Sequence, residues 1–249
     1  MASRWGFDMG TPQIVWIAVA LFSLRVCVAK HRESLRARVN FWFASLRWGA
    51  FAGLLYWGGF FGHPAAAQVP ATAMQYRADL TRAARAIWGI DAPVATFAAQ
   101  LHQESGWRPN AVSHVGAQGM AQFMPATAAW IAQVYPALAD GQPFNPGWSL
   151  RALVTYDHHL WQRVGAAAPC ERMAKTLSAY NGGLGWVIRD EAAARRAGKD
   201  AGQWFGAVET VNAGRSEANW RENRAYPRRI LRLLEPVYVR AGWGRGSCT

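Results

Sequence analysis

Apolar residues recur every three to four positions along most of the chain after residue 67, which is the spacing of an amphipathic helix. This pattern predicts helices over residues 76–90, 92–105, 125–135, 149–164, 171–180 and 227–238. Asp91 is placed to cap the second helix, and Pro93 stands in its first turn, where proline is tolerated. Alternating apolar and polar residues are nearly absent, so we predict a mainly helical fold with a minor sheet or none.

The first 67 residues follow a different pattern. Residues 12–24 are uncharged but too few to cross about 30 Å of hydrocarbon unless the segment extends past Arg25. A basic stretch at 30–38 precedes a second apolar run at 41–61 and then three alanines ending at Ala67, an order typical of a secretory signal. Either a cleaved signal or an uncleaved anchor would export the downstream chain, because the basic stretch stays inside. Two buried helices of a soluble core are the less favoured alternative.

This contrast divides the chain into an export or anchor region, 1–67, and a working domain, 68–249, whose core spans about 76–238. The composition, with 51% hydrophobic residues, excludes wholesale disorder. Lys and Arg number 27 against 15 Asp and Glu, and the net charge is +12. Such a chain favours polyanionic partners, and nucleic acid, acidic phospholipid and the anionic bacterial cell wall all qualify.

One carboxylate ends an apolar helical face. Val94, Phe97, Leu101 and Glu104 are spaced three, four and three residues apart, so they share the core-directed face of the predicted helix. At the last turn the carboxylate also meets the negative end of the helix dipole, and both burial and dipole favour its protonated form. Glu104 is therefore a candidate proton donor near neutral pH, and a half-exposed glutamate at a frayed helix end is the alternative.

Two further motifs carry polar groups beside glycines. In residues 113–128, Gly116 and Gly119 allow tight turns before Gln122, whose amide could bind a polar ligand. In residues 179–183, Tyr180 and Asn181 precede two glycines that end a helix. Each motif alone is a common structural device, and neither identifies a function.

Together these motifs resemble those of the lytic transglycosylases of the soluble type, relatives of goose-type lysozyme, over about residues 76–238. The family's Glu-Ser pair is matched by Glu104 and Ser105, and its late Glu-Thr-x-x-Tyr pattern by Glu222 and Tyr226. The residues that match its Gly-rich loop and its Ala-Tyr-Asn-x-Gly motif are Gly116, Ala117, Gly119, Gln122, Met124, Pro125, Ala179, Tyr180, Asn181 and Gly183. The departures from the family pattern are Met120, Ala121 and Asn223, which stand where Leu, Met and Thr are usual.

The resemblance implies a lysozyme-like helical domain that cleaves peptidoglycan between N-acetylmuramic acid and N-acetylglucosamine. Glu104 would act first as general acid and then as general base, giving a 1,6-anhydromuramyl product. The residues expected to contact the substrate are Ser105, Gly119, Met120, Gln122, Tyr180, Asn181 and Tyr226. The partners implied are peptidoglycan glycan strands, with a periplasmic or inner-membrane location facing the periplasm and no nucleic acid.

The other titratable residues offer no second catalytic group. Asp140, Asp157 and Glu171 lie in polar sequence settings, and Glu222 is interpreted as structural, either bracing the cleft or pairing with an arginine. The adjacent histidines at 158 and 159 point about 100° apart on a helix, and no other ligand completes a set. We therefore expect neither a metal ion nor another cofactor.

Several alternatives stay open at this stage. The same fold could hydrolyse peptidoglycan with water, or it could bind the wall without cleaving it. Wall turnover, wall opening for a secretion or conjugation machine, and phage lysis all fit, and the sequence does not decide between them, between endo and exo action, or between oligomeric states. Cys170 and Cys248 are the only two cysteines after residue 67, and a disulfide would tether the C-terminal tail to the loop before residue 171.

Overall fold

The computed structural model describes residues 68–249, so the predicted export or anchor segments and the cleavage site after Ala67 lie outside the described residues. The described chain is almost entirely helical. Its α-helices are α1 (Arg77–Trp88), α2 (Val94–Ser105), α3 (Pro125–Val134), α4 (Pro146–Trp161), α5 (Pro169–Gly182), α6 (Leu184–Arg196), α7 (Glu217–Arg228) and α8 (Glu235–Arg240). Short 3₁₀ helices cover Ala71–Tyr76, Pro136–Leu138 and Val208–Thr210. Strand pairing within residues 68–249 is limited to two isolated bridges, both made by Gln118.

Helix α2 lies at the centre of the fold. Every residue from Val94 to Leu101 is buried, including the polar Thr96 and Gln100. Helices α1 and α8 and the segment before α8 pack against α2, while α4 packs on α1 and α5, and α5 also contacts α6 and α7. The sequence pattern predicted one buried stripe on this helix, and small alanines on its other faces allow neighbours to enclose it on all sides.

The start of α2 differs from the prediction. Asp91 does not cap the helix, because its side chain is 81% exposed and the cap position is occupied by Pro93 without a side-chain hydrogen bond. Residues 89–92 instead form a tight turn, in which the amide of Ala92 donates to the carbonyl of Gly89. The helix therefore begins at Val94, and its length fixes Glu104 in the last turn.

The last helices form one helical run from Glu217 to Arg240 in which Arg229–Leu234 has π-helical hydrogen bonding. The sequence pattern predicted only its second half, a helix over residues 227–238. Pro227 in fact lies inside the helix. A proline has no N–H to continue the ladder, and the shift to π-helical bonding follows directly after it.

The C-terminal tail is fastened to α2 and α5. Cys170 and Cys248 form a disulfide, which confirms the predicted pairing, although Cys170 lies in the first turn of α5 and not in a loop. The buried carboxylate of Glu235 accepts hydrogen bonds from the amides of Ser247 and Cys248 and from the hydroxyl of Thr96. The tail thus contacts the buried start of the helix that carries Glu104.

None of the helices in the described part of the chain has both the length and the apolar character needed to cross a membrane.

Candidate active site

Glu104 lies in the last turn of α2 and is partly buried. The helix ends at Gly106, which adopts a left-handed conformation with φ of 60°. The hydroxyl of Tyr226, on α7, donates a hydrogen bond to Oε1 of Glu104. Residues 122 positions apart in the sequence therefore meet at the end of the central helix.

The surroundings of Glu104 favour its protonated form. Its pKa is raised from 4.5 to about 8: burial is the largest cause, the hydrogen bond from Tyr226 opposes it, and the negative charge of Glu222 adds to it. Desolvation destabilises the charged carboxylate, and here it outweighs the stabilising hydrogen bond. Glu104 is consequently a group that holds a proton at neutral pH while lying at a partly open position.

Two tyrosines and a second carboxyl group complete this cluster. Burial, with an added contribution from the charge of Glu104, raises the pKa of both Tyr180 and Tyr226 well above the usual value, so their hydroxyl groups remain neutral donors. The hydroxyl of Tyr180 donates to the carbonyl of Ala121 at 2.7 Å, which joins α5 to the Gly-rich loop. The predicted site residues Glu104, Tyr180 and Tyr226 are thus brought together.

Asp157 is the second carboxyl group, and the prediction of an unremarkable polar setting for it is wrong. Its side chain is fully buried on α4, and burial raises its pKa well above 3.8, an effect that the charge of Glu104 strengthens. The amide of Gln100 donates to Oδ1 of Asp157 at 3.4 Å. The sequence contained a signal for this burial, because Leu153, Asp157 and Leu160 follow the helical spacing of a core face.

Ser105 and the Gly-rich loop form a frame beside Glu104. The hydroxyl of Ser105 donates to the carbonyl of Met120 at 2.8 Å and accepts from the amide of Arg108 at 3.1 Å, so it ties the end of α2 to the loop. Ser105 and Met120 are buried, and the predicted contact of the Met120 side chain with substrate is wrong, because that side chain is fully enclosed in the core.

Gly119 and Gln122 also help to fix the conformation of the Gly-rich loop. Gly119 has a positive φ of 75°, and a Cβ atom there would stand 1.7 Å from the carbonyl oxygen of Pro143. The amide of Gln122 donates to the carbonyls of Gly119 at 2.8 Å and Ala111 at 3.2 Å. In this structure the amide nitrogen of Gln122 therefore braces the loop, and its carbonyl oxygen is the atom left for a ligand.

Asn181 lies on the exposed rim of a polar cavity of about 350 Å³ that Asn223 and Glu222 also line. The amide of Asn223 donates to Oδ1 of Asn181 at 3.0 Å, so the amide hydrogens of Asn181 remain for a ligand. Oδ1 of Asn223 accepts hydrogen bonds from Arg215 at 2.6 Å and Arg224 at 2.7 Å. Asn223, which departs from the family pattern, is thus the buried centre of a network that orients Asn181.

The arginines of this network are held by one buried carboxylate. Oδ2 of Asp190 lies 2.8 Å from Nη2 of Arg224 and 3.3 Å from Nη2 of Arg215. Glu222, by contrast, is exposed and forms no ion pair within residues 68–249, so its predicted pairing with an arginine is wrong. No three His, Cys, Asp or Glu side chains in that same range are grouped so as to hold a metal ion.

Comparison with known proteins agrees with this geometry. Residues 79–203, just over half of the chain, match the family model described as the transglycosylase SLT domain. Two curated relatives, each named membrane-bound lytic murein transglycosylase F, are 28% identical over 131 residues in Aeromonas salmonicida and 32% identical over 116 residues in Maricaulis maris. These matches cover 52% and 46% of this chain but 25% and 24% of the relatives, so the chain spans about a quarter of their length.

A solved structure shares the fold. The complex of the 70-kDa soluble lytic transglycosylase with bulgecin A matches with a TM-score of 0.52 and 20% identity, over 100% of this chain and 38% of that one. At this identity the likeness concerns the fold alone, and it confirms the predicted mainly helical, lysozyme-like class. From the matched family model and the shared fold, we conclude that this chain belongs to the transglycosylase SLT domain family.

Proposed function

We propose that this chain is a peptidoglycan lytic transglycosylase in which Glu104 is the single general acid and base. The observation that carries the proposal is the position of Glu104, a carboxyl group with a pKa raised to about 8 at the end of the central helix. The family membership and the names of the curated relatives support the same reaction class. The substrate would be the β-1,4 bond between N-acetylmuramic acid and N-acetylglucosamine.

The reaction needs one proton to be given and one to be taken. Protonated Glu104 donates its proton to the glycosidic oxygen as the bond from that oxygen to C1 of the muramyl residue breaks. The resulting carboxylate then accepts the proton of the C6 hydroxyl as that oxygen bonds to C1, which closes a 1,6-anhydro ring and restores the acid. The Tyr226 hydroxyl, which already donates to Oε1, stabilises the carboxylate between the two steps.

The carboxyl groups near Glu104 support a mechanism with one acid. Most glycosidases use two carboxylates that face the scissile bond from either side. Asp157 is fully enclosed and cannot reach a sugar, and Glu222, the other neighbouring carboxylate, is exposed at the polar cavity. An intramolecular attack by the C6 hydroxyl requires no second carboxylate to activate water.

The proposal is tested with Glu104→Gln, which keeps the shape of the side chain and removes its titratable proton. We expect release of soluble muropeptides from purified sacculi to fall by about 10²–10⁴-fold, the range of general acid–base catalysis. Glu217→Gln is the matched control, because Glu217 is an exposed glutamate in a surface ion pair at the start of α7. Near-normal turnover by the Glu104 variant would overturn the proposal.

The products distinguish the two remaining alternatives. Mass spectrometry of the muropeptides should find 1,6-anhydro ends, which are 18 mass units lighter than the reducing ends left by hydrolysis because one water is not consumed. Reducing ends alone would indicate a hydrolytic muramidase on the same fold. Binding of sacculi by the wild-type chain with no products at all would indicate a wall-binding protein.

We further propose that the domain acts outside the cytoplasm, in the periplasm or at the inner membrane. The signal or anchor pattern in residues 1–67 supports this location, and so does the description of the curated relatives as membrane-bound. N-terminal sequencing of the protein from the envelope fraction should find either a start near Gln68 or the intact segment. Recovery of the chain from the cytoplasm alone would contradict the proposal.

A further inference from the structure

A pocket of about 350 Å³ lies between α3, α4 and the start of α6, beside the candidate site. Three aromatic side chains, Trp130, Tyr156 and His159, line it together with Thr127 and Leu184. A volume near the lower end of the range for small-ligand pockets suits a single sugar residue. We refer to it as the Trp130 pocket.

The aromatic lining is held in place and partly open. The rings of Trp130 and His159 stand 4.9 Å apart at 82°, and those of Trp130 and Tyr156 stand 6.1 Å apart at 69°. Trp130 nevertheless remains 38% exposed. Two near-perpendicular neighbours fix the indole without covering it, and its negatively polarised face can attract the C–H groups of a pyranose ring.

The pocket also provides polar groups of the kind that fix a sugar. Nδ1 of His159 is 2.7 Å from the hydroxyl of Tyr135, so Nε2 is the ring nitrogen that can meet a ligand. Burial and the nearby charge of Arg163 lower the pKa of His159, so the imidazole is neutral at neutral pH. Thr127 adds a hydroxyl that can donate or accept.

The absence of charged side chains from the lining favours a neutral ligand. The domain carries an excess of arginine, yet none of the residues that line the Trp130 pocket in the described part of the chain is an acid, a lysine or an arginine. The lining thus offers no cation of its own to an anionic peptide, phosphate or lipid headgroup, and the guanidinium of Arg163, which lowers the pKa of His159, lies outside it. N-acetylglucosamine, which lacks the lactyl group and stem peptide of N-acetylmuramic acid, is neutral and combines an apolar ring face with hydroxyl and amide groups.

One pair of aromatic rings connects the Trp130 pocket to the residues around Glu104. The ring of Tyr156 lies 5.4 Å from the ring of Tyr180, and Tyr180 is close enough for the charge of Glu104 to raise its pKa. Tyr156 is therefore shared, since it touches Tyr180 on one side and lines the Trp130 pocket on the other. The Trp130 pocket therefore lies one aromatic side chain away from Tyr180.

We propose that the Trp130 pocket is a distal subsite that binds an N-acetylglucosamine residue of the glycan strand, away from the bond that is cleaved. This inference rests on the proposed function, because it assumes that the strand runs past Glu104. The subsite adds affinity for long strands and none for fragments too short to reach it. It thereby favours intact glycan over the small products of cleavage.

The inference is tested by binding, with N-acetylglucosamine oligomers of two and six residues as probes. The full chain carrying Glu104→Gln is the parent, so that the probes are not consumed. Adding Trp130→Ala should weaken binding of the hexamer by about tenfold, the scale of one lost aromatic contact, and leave the dimer unchanged. Trp130→Phe keeps an aromatic face and should recover part of the affinity.

Ile90→Ala is the control, because Ile90 is an exposed apolar side chain near the opposite end of α2. A second measurement does not depend on affinity differences. The indole N–H signal of Trp130, identified by its absence in Trp130→Phe, should shift in the NMR spectrum with the hexamer and not with the dimer. Equal hexamer affinity in the parent and Trp130→Ala, with an unmoved indole signal, would overturn the inference.

The result separates this inference from the proposed function. If Glu104→Gln abolishes cleavage of sacculi while Trp130→Ala binds the hexamer normally, only the distal subsite is wrong. If Glu104→Gln cleaves sacculi normally, the proposed function fails, and hexamer-specific loss in Trp130→Ala would still identify a saccharide pocket. Loss of both probes in Trp130→Ala would indicate a disturbed fold, and an indole signal of Trp130 that the hexamer does not move in the Glu104→Gln parent would then reject the subsite.

Discussion

Two neighbours of Glu104 shift its pKa in opposite directions. The hydroxyl of Tyr226 stabilises the carboxylate and lowers the pKa, and the charge of Glu222 destabilises it and raises the pKa. Burial is the largest cause of the raised pKa. In the proposed mechanism the acid must be protonated when the substrate arrives. The pH at which activity is lost on the alkaline side therefore reports the balance of these effects, and kcat/KM reports it for the free enzyme.

We predict that the wild-type alkaline limb of kcat/KM lies near pH 8 and that two conservative variants move it in opposite directions. Tyr226→Phe removes a donor to the charged form, so the pKa of Glu104 rises and the limb moves to higher pH. Glu222→Gln removes a negative neighbour, so the pKa falls and the limb moves to lower pH. The measurement is muropeptide release across a pH series at low substrate concentration.

Glu217→Gln changes an exposed glutamate in a surface ion pair, so it should not move the alkaline limb of kcat/KM. Shifts of both variants in the same direction would contradict the electrostatic account of the site. An unchanged limb in both variants would mean that a group other than Glu104 controls the alkaline loss.

Asp157 gives a prediction about stability. Its folded-state pKa is raised well above 3.8, so below about pH 4 both folded and unfolded chains hold the proton. As the pH rises further, the unfolded chain loses this proton while the folded chain keeps it, and the wild type loses stability. Asp157→Asn cannot ionise, so its melting temperature should exceed that of the wild type by a margin that grows as the pH rises above about 4.

The exposed Asp140 supplies the control, and Asp140→Asn should show no growing margin. Scanning calorimetry of the three proteins across the pH series measures the effect. A margin that is constant or shrinks with rising pH would mean that Asp157 is ionised in the folded protein.

At the scale of elements, the sequence predicted most helices because their apolar spacing is local information. It missed two features that depend on distant contacts. Helix α6 was not predicted, although Val187, Asp190 and Ala194 form its buried face. The start of α7 was missed because its first turns are mostly exposed: only Trp220 is partly buried before full burial begins at Asn223. The packing of the buried residues in the second half of α7 therefore stabilises its exposed first turns.

The Gly-rich loop contains a matched pair of glycines for a test. Gly116 and Gly119 both have positive φ, at 86° and 75°, so alanine strains the backbone at each position, at about 1 kcal/mol. Only at Gly119 would the new Cβ meet the backbone of Pro143, whereas nothing lies within 4 Å of the one at Gly116. We expect the decrease in melting temperature to be several-fold larger for Gly119→Ala than for Gly116→Ala.

The difference between the two variants isolates the steric clash from the backbone strain that they share. Because Gln122 and Ser105 are tied to this loop, Gly119→Ala should also reduce muropeptide release beyond what its stability explains. Equal melting temperatures for the two variants would show that the loop can move away from Pro143.

At the scale of the molecule, the motifs predicted which segments meet but not which atoms face the cleft. Glu104, Tyr180 and Tyr226 were found because each carries a distinctive group at a family position. Ser105, which matched a motif, and Met120, which stands at a motif position with a departing residue, are both buried, so a motif position can serve the frame as well as the ligand. Asp157 and Gln100 belong to no motif, and they meet only because the folded chain brings one residue of α4 within hydrogen-bond distance of one residue of α2.

One disulfide bond joins the C-terminal tail to the first turn of α5. The Cys170–Cys248 disulfide closes a loop of 78 residues, and in the chain-entropy account such a loop stabilises the folded state by about 4.5 kcal/mol. It also holds the tail where its amides reach the buried Glu235 and, through Thr96, the start of α2. Loss of the bond should therefore destabilise the start of α2, the helix that carries Glu104.

We predict that a reductant, or the double substitution Cys170→Ser and Cys248→Ser, lowers the melting temperature by on the order of 10 °C. The double variant should not respond further to the reductant, which separates loss of this bond from other effects of the reagent. Hydrogen exchange should then rise at Ser247, Cys248 and Ala95, because the tail carbonyl of Arg245 accepts the Ala95 amide. A melting temperature that is the same with and without the bond would show that the hydrogen bonds to Glu235 alone hold the tail.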